Sequence, residues 1–271
     1  MSEPVARPKP MPLTFQGILT PPPPPVCPAE WRTGPPDFVG VGAQRSGTTR
    51  WFDLIAAHPQ VTAPMVTRKE LHYFDRFHSG AFTSRDAAAY SEYFPRPQGT
   101  LTGEWSPSYL ASPWAPAMLA RAAPRARLLV LLRDPVERYL SGLQRQHRVA
   151  RARGEPLNAM APLDAFARGF YYAQLTHLTR RFSRAQVLVL QYERVSAEPR
   201  SELRRTYEFL GLSDSGFVPD LEAHPNRQAE KPELRSEARR ALVEAYAEDV
   251  ALLIGEYPEI DVGLWPNFAA L

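Results

Sequence analysis

Phe38-Val-Gly-Val-Gly-Ala-Gln-Arg-Ser-Gly-Thr-Thr-Arg50 is a short apolar stretch that leads into a glycine loop and then into helical sequence. Gly42 and Gly47 bracket four residues, which is the spacing of a phosphate-cradling loop. Glycines let the backbone turn sharply, and a helix that starts after the loop aims its N–H groups at the same anion. Thr48 stands where the loop of a nucleoside triphosphatase needs lysine, and the basic residue comes earlier, at Arg45. The stretch therefore predicts a phosphate-binding loop and argues against ATP as its ligand.

The composition predicts a globular protein rather than a nucleic-acid or membrane protein. The 271 residues are 44% hydrophobic and 23% charged, which is enough for a full core in one domain. The formal net charge of +3 fits a small anionic ligand better than a nucleic acid. Cys27 is the only cysteine, which suits a reducing compartment. Since we find neither a membrane-length apolar run nor a secretory signal pattern, we expect a cytoplasmic protein with no membrane insertion.

Residues 1–36 form a proline-rich leader in which Pro21 to Pro25 are consecutive. Such a stretch favours extended polyproline geometry and cannot pack a core. We therefore expect a segment that is disordered or draped over the surface. A ligand for a proline-reading domain is the alternative.

Residues 37–271 alternate between strand and helix patterns, which predicts an α/β domain. Predicted strands or extended segments lie at 38–41, 61–64, 101–106, 127–133 and 187–191. Predicted helices lie at 48–57, 84–94, 113–122, 134–151, 171–183, 200–210 and 233–254, with a loop over 153–163. The expected architecture is a three-layer P-loop-like fold whose central, mainly parallel sheet is flanked by helices.

A second candidate anion site follows the most apolar predicted strand. Arg133 lies at the carboxyl end of that strand, where ligands collect in open α/β sheets. Asp134-Pro135 is a helix start, and Ser141 lies in the second turn of that helix. A guanidinium and a hydroxyl at this place could hold a second phosphate. Spacing alone leaves the alternative that Arg133 pairs with a neighbour and that Ser141 only packs.

Four motifs in one order carry a resemblance to a known family. They are Gly-Ala-Gln-Arg-Ser-Gly-Thr-Thr at 42–49, Lys-Glu-Leu-His-Tyr-Phe-Asp at 69–75, Gly-Glu-Trp-Ser-Pro-Ser-Tyr at 103–109 and Leu-Arg-Asp-Pro-Val-Glu-Arg-Tyr-Leu-Ser at 132–141. The sequence resembles the sulfotransferases that use 3′-phosphoadenosine 5′-phosphosulfate (PAPS), above all the heparan sulfate N- and 3-O-sulfotransferase group. The stretches 169–171 and 186–194 are similar to the same group. The resemblance covers residues 37–271 and leaves out only the leader.

The resemblance implies how the donor is held. The glycine loop would bind the 5′-phosphosulfate of PAPS, through Arg45, Ser46, Gly47, Thr48 and Thr49. Arg133 and Ser141 would bind the 3′-phosphate, a group that distinguishes PAPS from ATP. No metal ion is expected, since the donor has no β,γ-diphosphate for Mg²⁺ to bind. Arg227, ahead of the last predicted helix, is a further candidate donor contact, with a solvated loop arginine as the alternative.

The resemblance also implies a general base. Glu70 matches the family's base, and a carboxylate is suited to taking the proton of an attacking hydroxyl. If residues 70–75 are extended, His72 points to the same side as Glu70 and could orient the acceptor or share the proton. A salt bridge between Glu70 and Lys69, and a purely structural His72, are the alternatives.

Two positions depart from the heparan sulfate enzymes. Arg45 replaces their catalytic lysine; it can stabilise charge on the departing phosphate oxygen but cannot donate a proton usefully. Trp105 replaces the lysine of Gly-Glu-Lys-Ser/Thr-Pro-x-Tyr. Its ring suits stacking on a sugar or phenol acceptor, and a core residue beneath the loop is the alternative. This second replacement argues against a heparan-type acceptor.

The sequence thus predicts a PAPS-dependent sulfotransferase. It would transfer the sulfuryl group to a hydroxyl of a sugar or other small-molecule metabolite and release adenosine 3′,5′-bisphosphate. A P-loop small-molecule kinase is one alternative, and a non-catalytic nucleotide-binding scaffold is another. Nothing in the sequence indicates the oligomeric state.

Overall fold

A computed structural model describes residues 21–66, 69–77, 80–213, 217, 219–221 and 234–269 of the chain. Its strands are β1 (Phe38–Gly42), β2 (Gly103–Trp105), β3 (Arg127–Leu132) and β4 (Val187–Gln191). Its α-helices are α1 (Thr48–Ala56), α2 (Ser84–Ser91), α3 (Ala115–Ala122), α4 (Pro135–Arg153), α5 (Ala161–Ala167), α6 (Tyr171–Thr179), α7 (Tyr192–Ala197), α8 (Pro199–Leu210) and α9 (Ser236–Glu256). Within these described ranges, no helix combines the length and the apolar character that a membrane span needs.

The four strands form one parallel sheet in the order β2-β1-β3-β4. Strand β1 pairs with β2 on one side and with β3 on the other, where Phe38 lies opposite Arg127. Because all strands run in the same direction, their carboxyl ends share one edge of the sheet. The loop that follows Gly42 and the residues that follow Leu132 therefore emerge side by side.

The sheet is covered on both faces, which confirms the predicted α/β class. Alternation along β3 divides the core: Leu128, Val130 and Leu132 join one buried cluster, while Leu129 and Leu131 join the other. The first cluster includes side chains of α2, α3, α6 and α9, and the second includes side chains of α1 and α8. Strands that are buried on both faces explain the nearly continuous apolar run in β3.

The predicted elements are found, with differences at the short helices. Val61 and Leu101, the first residues of the predicted extended segments 61–64 and 101–106, pair in an isolated parallel bridge. Helix α5 begins at Ala161, inside the predicted loop 153–163, and α7 follows β4 directly without having been predicted. These helices have seven and six residues, too few for an apolar periodicity to emerge from the sequence.

Residues 21–36 of the predicted leader contact the domain, while residues 1–20 lie outside the described part. Tyr93 donates its hydroxyl to the carbonyl oxygen of Pro22 over 2.6 Å. Arg32 and Arg96 exchange backbone hydrogen bonds of 3.0 and 2.9 Å. The Arg96 side chain also donates to the carbonyl oxygen of Pro35 over 3.0 Å. These contacts join the segment to the turn that follows α2.

Gly40 allows a tryptophan to pack directly across β1. A Cβ atom at this position would lie 1.9 Å from the indole ring of Trp105, which is fully buried. We therefore expect Gly40→Ala to lower the free energy of unfolding by about 1–3 kcal/mol or more, since the indole has to move within a packed core. Urea denaturation followed by circular dichroism measures the change.

Gly255→Ala is the matched control for this prediction. It lies in α9, where an added Cβ atom meets nothing within 4 Å. Alanine favours a helix over glycine by roughly 0.5–1 kcal/mol, so this variant should be as stable as the wild type or more so. Equal stabilities for the two variants would contradict the proposed packing.

Candidate active site

The glycine loop joins β1 to α1 with an unusual backbone. Arg45 has φ of 74° and Gly47 has φ of 85°, both in the left-handed region. Gly47 is the N-cap of α1, and no side chain caps that helix. Since a left-handed non-glycine residue is strained, such residues concentrate at functional sites. The loop thus leaves the positive end of α1 facing the edge of the sheet where ligands bind.

The two predicted anion sites lie together. The Nε atom of Arg45 donates to the hydroxyl of Ser141 on α4 over 3.2 Å. An Nη atom of Arg133 donates to the carbonyl oxygen of Arg45 over 3.4 Å. A direct contact therefore joins the loop to the strand end and to the helix that leaves it. Ser141 thus forms a hydrogen bond besides packing, and its binding of a phosphate stays a prediction.

Positive charge is concentrated at this place. Burial lowers the pKa of Arg45, and repulsion by Arg145, Arg148 and Arg133 lowers it further. Arg145 and Arg148 follow Ser141 on α4 by four and seven residues, so helical periodicity places all three on one face. This spacing is visible in the sequence, although neither arginine was predicted to belong to the site. Four converging guanidinium groups favour a ligand with several negative charges.

Polar atoms at this place also fit an anion. Within the described residues, the buried hydroxyl of Ser46 and the buried Nε atom of Arg133 have no hydrogen-bond partner. Buried polar groups without a partner are uncommon and call for an explanation, and a bound phosphate oxygen is one. The ring of Tyr192 stacks under the Arg133 guanidinium at 4.6 Å, and a Cβ atom on Gly47 would lie 3.0 Å from that ring. Tyr192 thus contacts both anion-binding elements.

Thr48 and Thr49 begin α1 directly after this loop. The side chain of Thr48 is buried, and Thr49 is exposed. Arg227, the remaining candidate donor contact, lies outside the described residues.

Glu70 lies among cationic groups. Its carboxylate accepts hydrogen bonds from Lys69 Nζ at 2.8 Å and from His72 Nε2 at 3.1 Å. Burial alone would raise the pKa of Glu70, but the hydrogen bonds and charges of His72 and Lys69 lower it to about 2. Glu70 also favours the charged form of Arg45, so the candidate base lies within electrostatic range of the loop. Glu70 therefore forms the salt bridge with Lys69 and also lies near the glycine loop, where a general base would be needed.

His72 bridges two carboxylates. Its Nε2 atom faces Glu70, and its Nδ1 atom lies 2.8 Å from Asp75. The hydroxyl of Ser108 donates to the same Asp75 oxygen over 2.8 Å. Burial alone would lower the pKa of His72, but Asp75 and Glu70 raise it to about 9. At neutral pH the imidazole is therefore positively charged, and it donates to both neighbours.

Residues 70–75 are not extended throughout, so strand alternation is not what places His72 beside Glu70. His72 has φ of 51°, and residues Asp75–Phe77 form a 3-10 helix. Arg45 and His72 are the only non-glycine residues with positive φ in the described part of the chain. Glu70 and His72 nevertheless lie side by side, because the left-handed residue turns the imidazole back towards the carboxylate.

The backbone of this segment is bound by side chains from 104–109. The N–H groups of three successive residues, 71, 72 and 73, donate to three side chains. The acceptors are the carboxylate of Glu104 at 3.1 Å, the hydroxyl of Ser106 at 2.9 Å and the hydroxyl of Tyr109 at 2.8 Å. The motif at 103–109 therefore lies next to Glu70. Its side chains hold the backbone of residues 69–75, which we call the base segment.

Stacking of Trp105 on an acceptor is wrong. The indole is fully buried, its Nε1 atom donates to the carbonyl oxygen of Gly42 over 3.2 Å, and its ring covers Gly40. Strand alternation directs it to the face opposite Glu104. A ring with no exposed surface cannot contact a substrate. Trp105 is therefore a core residue beneath the loop, which was the alternative prediction.

Two further residues of the site were not singled out from the sequence. Asp75 and Ser108 complete the hydrogen bonds around His72. The spacing His72-x-x-Asp75 within one motif could have indicated the first of them. No sequence pattern indicated Ser108, because its contact depends on the folding of 103–109 against 69–75.

The fold and the site define an α/β protein with a loop suited to an anion and a carboxylate, that of Glu70, close to it. A profile of the sulfotransferase family matches residues 36–216. The chain belongs to the sulfotransferase family, which confirms the resemblance inferred from the four motifs.

Curated relatives carry a more specific likeness. Heparan sulfate glucosamine 3-O-sulfotransferase 3A1 of Mus musculus is 31% identical over 189 residues, which are 65% of this chain and 46% of that protein. Bifunctional heparan sulfate N-deacetylase/N-sulfotransferase 2 of Mus musculus is 26% identical over 205 residues, which are 66% of this chain and 22% of that protein. The chain thus spans less than half the length of these two relatives.

A solved structure shares the fold. The sulfotransferase from Alicyclobacillus acidocaldarius superposes with a TM-score of 0.66 at 24% sequence identity. The superposition covers 85% of this chain and 98% of that protein. The comparison supports the fold, a parallel sheet with flanking helices.

The ion pairs of His72 predict a pH-dependent stability. Its pKa is raised from 6.5 to about 9 on folding, so its stabilising contribution is fully present below pH 6.5 and is lost as the pH rises through 9. We expect the stability difference between wild type and His72→Gln to be largest near pH 6 and to shrink by about pH 9.5. Urea unfolding across this range measures it. A difference that is constant or grows with pH would contradict the charged bridge.

Proposed function

We propose that this protein transfers the sulfuryl group of PAPS to a hydroxyl group and releases adenosine 3′,5′-bisphosphate. The observation that carries the proposal is the direct contact between the glycine loop and α4, made by Arg45 and Ser141, with Glu70 in range of Arg45. This arrangement offers two adjacent phosphate sites and one base. Family membership supports PAPS as the donor.

The residues of the loop and of the strand end would hold the donor. Ser46, Gly47, Thr48 and Thr49 would bind its 5′-phosphosulfate at the start of α1, and Arg133 with Ser141 would bind its 3′-phosphate. When bound, PAPS supplies an activated sulfuryl group on a phosphate leaving group. Arg45 stabilises the charge that develops on the departing oxygen, a role that a fixed cation fulfils without proton transfer.

Glu70 would act on the acceptor. Its carboxylate is ionised at neutral pH, as a general base has to be. A carboxylate with such a low pKa removes the proton only as the hydroxyl oxygen bonds to sulfur and becomes acidic. His72 keeps the carboxylate oriented and donates to it, while Asp75 fixes the imidazole from the other side.

The acceptor we propose is a carbohydrate or a small-molecule metabolite. The names of the two curated relatives, which act on heparan sulfate, support a sugar. Position 105 presents no cation to a sulfated polymer, because its indole is fully buried. A cytoplasmic location and independence of nucleic acid stay predictions of the sequence.

We also propose that the reaction needs no metal ion, because PAPS has no β,γ-diphosphate for Mg²⁺ to bridge. The cationic groups that would neutralise the donor are arginines of the chain itself. Incubation with PAPS and excess EDTA, followed by mass detection of the sulfated product, tests this point.

The kinase and scaffold alternatives are less well supported. A kinase loop needs the lysine that Thr48 replaces, and Asp134 caps α4 through the N–H groups of Val136 and Glu137 instead of presenting a metal ligand. A scaffold has no need for a charged base beside its nucleotide site.

Glu70→Gln is expected to reduce kcat by about 10²–10⁴-fold, because the amide cannot take up the proton. Affinity for adenosine 3′,5′-bisphosphate, measured by calorimetry, should change less than about twofold, since the hydrogen bonds of Glu70 are with Lys69 and His72 and not with the glycine loop. Product formation from labelled PAPS with a panel of sugars and phenols gives kcat. Glu92→Gln, at an exposed glutamate outside the site, is the control. Parallel losses of turnover and nucleotide affinity would count against Glu70 as the base.

Arg133→Ala and Ser141→Ala are expected to weaken nucleotide binding. Loss of a charged hydrogen-bonding group costs about 1.5–3 kcal/mol, so Arg133→Ala should raise the Kd for adenosine 3′,5′-bisphosphate by about 10–150-fold. Ser141→Ala should raise it by about 2–12-fold, as expected for a neutral hydrogen bond. Arg180→Ala, at an exposed arginine after α6, serves as the control. An unchanged Kd in the first two variants would remove the 3′-phosphate site from the proposal.

A further inference from the structure

We propose that Glu104 is a positioning residue that aims the base, acting through Ser106 and Tyr109 on the backbone of residues 71–73. The kinetic part of this inference rests on the proposed function, while its spectroscopic part does not. The family resemblance implies no role for Glu104, and the residue of its motif that departs from the family is the neighbouring Trp105.

The Glu104 carboxylate is saturated with donors. One oxygen accepts from the N–H group of Leu71 at 3.1 Å and from the hydroxyl of Ser106 at 2.6 Å. The other oxygen accepts from the hydroxyls of Tyr90 at 2.7 Å and Tyr109 at 3.0 Å. All four partners are donors, so the site is built for a group that only accepts hydrogen bonds.

Two of these donors continue to the base segment. The hydroxyl of Ser106 donates its proton to Glu104 and accepts from the N–H group of His72. The hydroxyl of Tyr109 donates its proton to Glu104 and accepts from the N–H group of Tyr73. Because each hydroxyl has one proton, the carboxylate fixes which way both hydroxyls point. It thereby makes both of them acceptors towards the segment.

The base segment needs such external support. His72 has a left-handed backbone, which costs free energy in a non-glycine residue and persists only where surrounding contacts impose it. The backbone of Lys69 adds an anchor, since its carbonyl oxygen accepts from the N–H group of Trp105 at 2.9 Å. Glu70 thus lies between an anchored residue 69 and three anchored residues, 71–73. With the backbone on both sides held, the position of the Glu70 carboxylate depends mainly on rotation of its own side chain.

Glu104 itself does not take part in the chemistry. It is 1% exposed, and the four hydrogen bonds account for both oxygens. Burial raises its pKa, and the hydrogen bonds from Ser106, Tyr90, Leu71 and Tyr109 act in the opposite direction. Its effect on the reaction has to pass through the backbone that it holds.

Tyr109→Phe and Tyr90→Phe form a matched pair that tests the proposal. Each removes one hydroxyl from a fully buried tyrosine and one hydrogen bond from the same Glu104 oxygen. Only the Tyr109 hydroxyl also binds the base segment; the Tyr90 hydroxyl makes no such contact within the described residues. Ser106→Ala tests the contact between Glu104 and the N–H group of His72, and it serves as the alternative if Tyr109→Phe does not fold. Glu104→Gln is avoided as the main variant, because its amide N–H groups would face donors.

The first readout is the titration of His72 by NMR in the full chain without any nucleotide. In the wild type, Glu70 and Asp75 hold the His72 pKa near 9. Tyr109→Phe should shift this pKa downwards by about one unit, as the ion pairs with Glu70 and Asp75 loosen. Tyr90→Phe should leave it unchanged. This readout remains valid even if PAPS is not the donor.

The second readout is the division between kcat and the donor KM. Tyr109→Phe should lower kcat by about tenfold, because a displaced base loses its alignment with the acceptor. The donor KM should stay within about twofold, since the glycine loop and Arg133 are not touched. Tyr90→Phe should keep both values near those of the wild type.

Equal effects of the two tyrosine variants on the His72 titration, or no effect of either, would overturn the positioning role. A wild type that binds no adenosine 3′,5′-bisphosphate would instead overturn the proposed function and leave the titration as the test of Glu104. A titration shift with unchanged kcat would also overturn the proposal, because the segment would then move without consequence for the base.

Discussion

The parallel pairing of β1 with β3 is the constraint on which the rest of the site depends. It brings the carboxyl ends of these two strands to one edge, so that the glycine loop and Arg133 emerge together. The pairing is maintained by a core in which β3 contributes to both faces. Each element contributes one buried polar atom that has no partner within the described residues, the hydroxyl of Ser46 on the loop and the Nε atom of Arg133 at the strand end. Their proximity is what the proposed binding of two phosphates of one donor requires.

The candidate active site joins two regions that differ in charge. The glycine loop, the end of β3 and α4 contribute arginines, and burial together with repulsion among them lowers the pKa of Arg45. The segment 69–75 instead pairs the carboxylates of Glu70 and Asp75 with the cations of Lys69 and His72. Each region has one non-glycine residue in a left-handed conformation, Arg45 and His72. Strain and charge are therefore concentrated where the two substrates would meet, and the buried carboxylate of Glu104 stabilises one of these segments from behind.

Much of the fold could be predicted from the sequence, because its signals are local. The continuous apolar run of β3 indicated a strand buried on both faces, and Asp134-Pro135 marked the start of α4. The rule for strand ends placed Arg133 at the edge of the sheet where ligands bind, whereas the contact of Arg45 with Ser141 was not predicted. The left-handed turn at His72 and the helix α7 could not be predicted, and the sequence left the burial of Trp105 as one of two alternatives. They depend on contacts between distant segments, such as Gly40 against the indole, that no periodicity encodes.

The repulsion among the arginines around Ser141 has a consequence for the folded chain as a whole. Since like charges held together at one edge oppose folding, any multivalent anion that binds between them stabilises the native state by mass action. The nucleotide product, which carries several negative charges, would then raise the melting temperature at concentrations too low for general salt effects. Part of the stability of the folded chain would therefore come from its ligand, before any acceptor is present.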